Sequence, residues 1–98
     1  MTIELVLEVS SRQGAQTVFN ALDAYKAKLR ASIERTRRNL HQFEQRYGVT
    51  TSRFLAEMAA EDLAGGDLEY VEWAGEAKLL EGLEMELKDL EDVRYRVP

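Results

Sequence analysis

One amphipathic run, Gln16–Tyr47, constrains the fold more than any other stretch of the sequence. Its apolar residues recur at spacings of 3, 4 and 7, so they occupy a and d heptad positions and form one stripe along a helix. Lys26 and Thr36 fill the two gaps in the stripe, and no proline interrupts the run. The members of the stripe are Phe19, Leu22, Leu29, Ile33, Leu40, Phe43 and Tyr47.

The length of this helix limits how the chain can pack. A helix over 16–47 is roughly 48 Å long at about 1.5 Å per residue, whereas a compact domain of this size has a radius of gyration of about 13 Å. The helix must therefore extend beyond a compact monomer or lie against another long helix. We expect a homodimer or a complex with another protein.

Both ends of the chain predict a β-strand, over 2–9 and over 93–97, because apolar and polar residues alternate there. The polar face carries glutamates in the first strand and arginines in the second, so the two would attract each other across a ladder. An isolated two-stranded ribbon is only marginally stable. We therefore expect it to pack on the helices or to pair with a second chain, and both pairings remain open.

Between these strands the sequence predicts three helices in one domain, 1–98. Ser10 or Ser11 can cap the first helix, Gly48 is placed to end it in a left-handed conformation, and Thr50 can cap a short second helix over 51–64. A third helix over 68–92 is long enough to return along the first. The fold class is mainly α, with short terminal strands.

The third helix carries a second, thinner apolar stripe opposite its main one, formed by Val71, Gly75, Gly82 and Met85. Glycines inside a helix are unfavourable by about 1 kcal/mol relative to alanine. Two of them seven residues apart indicate either close approach by another backbone or tolerance on an exposed face. The sequence leaves both interpretations open.

Charge is divided sharply along the chain, although its net value is only −5. Residues 26–53 hold eight Lys/Arg and two Glu, a charge of +6, while residues 57–92 hold thirteen Asp/Glu and two Lys, a charge of −11. The simplest explanation is that the two helical segments lie side by side. The alternative is that the basic stripe, which consists of Lys28, Arg35, Arg38 and Arg46, binds nucleic acid.

The sequence shows no arrangement of residues that indicates catalysis or cofactor binding. There is no cysteine, and His41 is the only histidine, which excludes thiol chemistry and leaves no triad. No phosphate-binding glycine loop is present. No signal peptide or membrane span can be identified. We expect a cytoplasmic protein that is not an enzyme and has no metal, cofactor or membrane partner.

Three short segments together resemble a family of small prokaryotic proteins, several of which look like the antitoxin halves of toxin–antitoxin pairs. They are Phe43-Glu44-Gln45-Arg46-Tyr47-Gly48, Phe54-Leu55, and the segment 69–75, which ends in Trp73-Ala74-Gly75. The resemblance covers roughly 40–90 of the chain. It implies a cytoplasmic helical protein that binds and masks a small partner. The chain departs from ordinary antitoxins in that its sequence shows no DNA-binding domain.

The same residues also have a purely structural interpretation. Phe43 and Tyr47 end the apolar stripe, Gly48 caps the helix, Phe54 staples the following turn, and Trp73 seals the junction.

The preferred function is non-enzymatic protein binding, most concretely the neutralisation of a small basic toxin by the acidic region 57–92. Electrostatic attraction would speed the encounter of the two proteins. The predicted contact residues are Tyr70, Trp73 and Leu80 as anchors, with Glu69, Glu72 and Glu76 around them.

Overall fold

The structure, a computed structural model, describes residues 1–58 and 68–94. Within them the chain forms three helices: α1 (Arg12–Tyr47), α2 (Thr51–Glu57) and α3 (Leu68–Glu91). This confirms the predicted order of a long, a short and a second long helix. The described residues extend over 57 × 27 × 19 Å with a radius of gyration of 19.0 Å, so the molecule is elongated.

Helix α1 begins four residues earlier than predicted, because Ser11 caps it. The Ser11 hydroxyl accepts a hydrogen bond from the amide of Gly14 at 3.0 Å, which satisfies one of the unpaired amides of the first turn. The helix ends at Gly48, whose φ of 70° is the left-handed conformation that glycine adopts without strain. Its amide donates to the Glu44 carbonyl at 2.8 Å.

A tight connection joins α1 to α2. The Thr50 hydroxyl accepts from the Arg53 amide at 3.1 Å and acts as the N-cap, as its position in the sequence predicts. The Glu44 carboxylate reaches back from α1 and accepts from the Thr51 amide at 2.7 Å. Two side chains therefore satisfy the first amides of α2. The part of the predicted second helix beyond Met58 lies outside the described residues.

Helix α3 runs antiparallel to α1, and three ion pairs show which residues of the two helices lie side by side. Arg30 lies 3.6 Å from Glu91, Arg37 lies 3.4 Å from Glu84, and Arg46 pairs with Glu69 at the other end. The predicted return of the third helix along the first, with basic and acidic segments side by side, is confirmed. The last ion pair is at Arg30, and the Tyr25 hydroxyl still donates to Glu86 of α3 beyond it. Helix α1 continues for 13 residues, about 20 Å, past Tyr25.

The apolar stripe of α1 faces α3. Leu29, Ile33 and Leu40 are buried, and so is Thr36, which stands in one of the two heptad gaps. The Thr36 hydroxyl donates to the Ser32 carbonyl at 2.9 Å, so the buried polar group is satisfied within its own helix.

The core is concentrated where the three helices meet, in a group that we call the aromatic junction. Trp73 and Phe54 are both 0% exposed, and their rings stack with centroids 3.9 Å apart. The Trp73 indole nitrogen donates to the Thr51 hydroxyl at 3.0 Å, so this buried ring keeps its hydrogen bond. The aromatic junction consists of Leu40, Phe43, Tyr47, Phe54, Tyr70 and Trp73.

The predicted N-terminal strand is wrong for the isolated chain. Residues 1–9 have no regular secondary structure, and Ile3 and Leu5 are 85% and 80% exposed. The physical reason is that a strand needs a hydrogen-bonding neighbour, and nothing in the described chain provides one. The predicted second strand starts at Val93 and Arg94, which are not in a strand, and the rest of it lies outside the described residues.

The aromatic junction should dominate stability. We expect Trp73→Ala to lower the free energy of unfolding by about 3–5 kcal/mol, because it leaves a large cavity. The matched control Leu79→Ala, on the exposed side of the same helix, should change it by less than about 0.5 kcal/mol. Urea unfolding followed by far-ultraviolet circular dichroism measures both. Equal losses for the two variants would contradict this account of the core.

Candidate functional site

The structure places most of the predicted contact residues inside the molecule. Trp73 is completely enclosed, while Tyr70 and Leu80 are half-buried and pack against the same cluster. An anchor must be accessible in the free protein to enter a partner's pocket. The structure therefore corrects the assignment of these three side chains as anchors: in this chain they hold α3 against α1 and α2.

Two of the three predicted acidic contacts are also used internally. Glu69 accepts from Arg46 and from the Tyr47 hydroxyl, and Glu76 accepts from the Asn39 side-chain amide at 3.3 Å. Glu72 is exposed, with no ion pair or hydrogen bond of its side chain to the described residues. Of the predicted contact set, Glu72 alone is fully available to a partner.

The motif residues behind the family resemblance meet at one place. The Phe43 ring stacks on Trp73 with centroids 5.5 Å apart, and Tyr47 lies at the same distance from that ring. Glu44 caps α2, and Gly48 ends α1. These contacts support the structural interpretation of the motif. Gly75 is the exception, because it is exposed and a Cβ atom added there would meet no atom within 4 Å.

A second apolar surface, which we call the outward face of α3, lies on the side of that helix opposite the core. Its residues are spaced three or four positions apart, so each helical turn contributes one of them. Leu68 and Met85 are 68% and 61% exposed, and Val71 and Leu79 are also exposed. The outward face consists of Leu68, Val71, Gly75, Leu79, Gly82 and Met85.

Four carboxylates on and beside the outward face are not used by α1. They differ from Glu69, Glu76, Glu84, Glu86 and Glu91, which all bond to α1. Their side chains are exposed and make no ion pair or hydrogen bond within the described chain. The unused carboxylates are Glu72, Glu81, Asp89 and Asp92. An apolar strip with acidic margins suits a basic protein surface.

The basic stripe is only partly free. Arg46 is paired with Glu69, while Arg35 donates to the Ser32 hydroxyl at 3.4 Å. Lys28 and Arg38 are exposed and have no ion pair in the described parts of the chain. Three cations therefore remain for a phosphate backbone along this side of α1.

Metal binding and catalysis by a paired histidine each require a specific geometry among the described residues, 1–58 and 68–94. No group of three or more His, Asp or Glu side chains there could hold a metal ion. His41 is exposed, and its Nδ1 lies 3.9 Å from a Glu44 oxygen, beyond hydrogen-bond distance. A shallow cleft between α1 and α3 is lined by Asn39, Gln42, Phe43, Arg46, Glu72 and Glu76. Two of these side chains are already tied together, and none is a paired nucleophile.

The helices of the described chain include none that is both long and apolar enough to cross a membrane. Comparisons of the sequence with family models, with curated proteins and with solved structures found no match. The candidate site therefore has to be judged from its own geometry.

One contact between α1 and α3 involves a tyrosine whose pKa is raised by its partner. The Tyr25 hydroxyl donates to the Glu86 carboxylate, and this hydrogen bond is the main reason that the pKa of Tyr25 is raised above its ordinary value of 10.0. A raised pKa means that the contact stabilises the fold below pH 10 and is lost as the pH rises through the higher value.

We therefore expect the difference in unfolding midpoint between the parent protein and Tyr25→Phe to be constant below pH 10.0 and to shrink above it. Tyrosinate absorbance should show one tyrosine titrating late, and Glu86→Ala should bring it back toward the ordinary pKa. The control is Tyr70→Phe, which removes a tyrosine hydroxyl in the aromatic junction, away from the Tyr25–Glu86 contact. A titration unchanged by Glu86→Ala would contradict the Tyr25–Glu86 contact.

Proposed function

We propose that this chain is a non-enzymatic protein-binding module, antitoxin-like in that it binds and masks a small basic protein. The observation that carries the proposal is the set of unused carboxylates beside the outward face of α3. Helix α1 forms ion pairs with three carboxylates of α3, donates hydrogen bonds to two more through Asn39 and Tyr25, and leaves four without a partner in the described chain. Those four are Glu72, Glu81, Asp89 and Asp92, which are exposed. Negative potential next to exposed apolar area favours a basic protein over a neutral one.

The anchors of this interaction differ from those expected from the sequence. Leu79 and Met85 are exposed on the outward face, whereas Trp73 is enclosed in the aromatic junction. A flat apolar strip gives contact area, and the acidic margins give speed and selectivity of encounter. In this proposal Glu72 keeps its predicted role, and the leucine and methionine replace the tryptophan.

Self-association is part of the proposal. Residues 2–9 expose four alternating apolar side chains, and their backbone forms no hydrogen bond to other parts of the described chain. A second copy, with a strand of its own, would supply the missing neighbour and allow the strand that the sequence pattern predicts.

The acidic set can be tested by neutralising charge without disturbing the fold. In a pull-down from the native host at moderate salt, we expect the parent protein to capture a small basic protein. The triple variant Glu72→Gln, Glu81→Gln, Asp89→Asn should bind that protein at least roughly tenfold more weakly. The matched control is Glu4→Gln, Glu8→Gln, Glu34→Gln, with the same change of charge on exposed residues away from α3.

Mass determination of the eluted complexes gives the stoichiometry, and circular dichroism confirms that both variants are folded. Equal capture by the two triple variants would show that the acidic margin of α3 is not the binding surface.

A second candidate function is nucleic-acid binding through the part of the basic stripe that α3 leaves free. Lys28, Arg35 and Arg38 are exposed and lie along about 15 Å of α1. They have no carboxylate partner in the described chain, which distinguishes them from Arg46. This spacing allows the three side chains to contact phosphates along a nucleic-acid backbone. Such contacts do not depend on the base sequence.

If this function is real, changing all three residues to glutamine should abolish binding to a fluorescent duplex at low salt. The parent should lose affinity steeply with salt, with a slope of roughly −3 in log–log form for three phosphate contacts. Arg12→Gln, Lys88→Gln, Arg94→Gln is the control of equal charge. Absence of binding by the parent at low salt would remove this candidate.

A further inference from the structure

The outward face of α3 is a long, narrow strip, and this shape limits which element of a partner can cover it. Its six positions are spaced 3, 4, 4, 3 and 3 residues apart, so they follow one side of the helix for about 26 Å. This is the footprint of an elongated element lying along α3. A loop or a compact patch would contact only one or two turns.

Gly75 and Gly82 have no side chains, so the centre of this face forms a depression between its larger apolar residues. A Cβ atom added at Gly75 or at Gly82 would meet no atom within 4 Å, so nothing in the described chain uses their small size. Together with Lys78, Leu79, Leu83 and Glu86 they line a shallow groove. Seven residues correspond to two helical turns, the period at which two packed helices repeat their contacts. The groove therefore suits the close approach of a second helix.

Charge determines which helix fits. The charged residues on and around the face are five carboxylates and two lysines, a charge of −3. They are Glu72, Glu81, Glu86, Asp89 and Asp92, with Lys78 and Lys88. A second copy of α3 laid on this face would bring the same excess of carboxylates, and like charges would oppose the contact. A helix with lysine or arginine on both sides of an apolar stripe would be attracted.

We propose that the outward face of α3 is the seat of an amphipathic, basic α-helix of the partner protein. Apolar residues of that helix pack over Gly75 and Gly82 between the flanking leucine and methionine, and its basic residues face Glu72 and Glu81. The inference rests on the proposed function and deepens it, because it specifies the partner's element and the point of closest approach.

A synthetic helical peptide of about 20 residues tests this directly. The probe has alanine and leucine on one face and lysine on both flanks, and its counterpart carries glutamate in place of lysine. Binding to the full chain is measured by fluorescence anisotropy. We expect the lysine peptide to bind, the glutamate peptide not to bind, and Gly75→Leu with Gly82→Leu to reduce affinity at least roughly tenfold.

The matched control is Ala24→Leu with Ala31→Leu, which places the same two side chains seven residues apart on exposed positions of α1. Added leucines increase apolar surface, so non-specific adhesion would raise binding in both variants. A loss confined to the glycine variant therefore reports the groove. The unfolding midpoint of the glycine variant should not fall, because both sites are open.

Two results would overturn the inference. The first is unchanged peptide affinity in the glycine variant. If the triple variant Glu72→Gln, Glu81→Gln, Asp89→Asn still fails to capture the basic protein in that case, the proposed function stands and only the helix-binding inference is lost. A parent protein that doubles in mass with concentration, and a glycine variant that stays single, would show that the occupant is a second copy.

Discussion

The burial of Trp73 is the interaction on which the rest of the structure depends. Its ring stacks on Phe54 from α2 and on Phe43 from α1, and its indole nitrogen reaches Thr51 at the start of α2. One side chain of α3 thus contacts both other helices. Without it, the short α2 would have little apolar surface to hold it, since Phe54 is its one buried residue. The hairpin of α1 and α3 would also lose its closed end.

Ion pairs align the two long helices and leave some of the negative charge of α3 unpaired. Arg30, Arg37 and Arg46 pair with carboxylates spread along α3, which fixes an antiparallel register. These pairs are exposed, so each contributes little to stability. Their effect on function is larger, because they consume the positive charge of α1 on one side and leave the far side of α3 acidic. The division of charge along the sequence becomes a division between two surfaces.

The sequence predicted the elements whose signals are local. The heptad stripe identified α1, and Gly48 and Thr50 marked the connection to α2, because caps depend only on neighbouring residues. The terminal strand could not be predicted in the same way, since alternation describes a strand only when a neighbour exists. The cap that Glu44 provides to Thr51 was also missed, because it needs the geometry of the folded turn.

The candidate site shows the same limit. An aromatic residue in an acidic helix has the composition of a binding anchor, and only the fold shows that Trp73 is enclosed and that Leu79 and Met85 are exposed. The thin stripe containing Gly75 and Gly82 was visible as a pattern, with both of its explanations open. In the structure both glycines lie on an exposed face, and no other part of the described chain approaches them closely. Close approach by another molecule is therefore our proposal.

The central claim is that a basic partner binds the outward face of α3, and methyl nuclear magnetic resonance tests it most directly. The lysine-flanked helical peptide is added to the protein with labelled leucine, isoleucine, valine and methionine methyl groups. The account predicts shifts at Val71, Leu79 and Met85, with Ile33 and Leu40 unchanged because they are buried between α1 and α3. Shifts confined to the methyl groups of α1 or of residues 2–9 would contradict it.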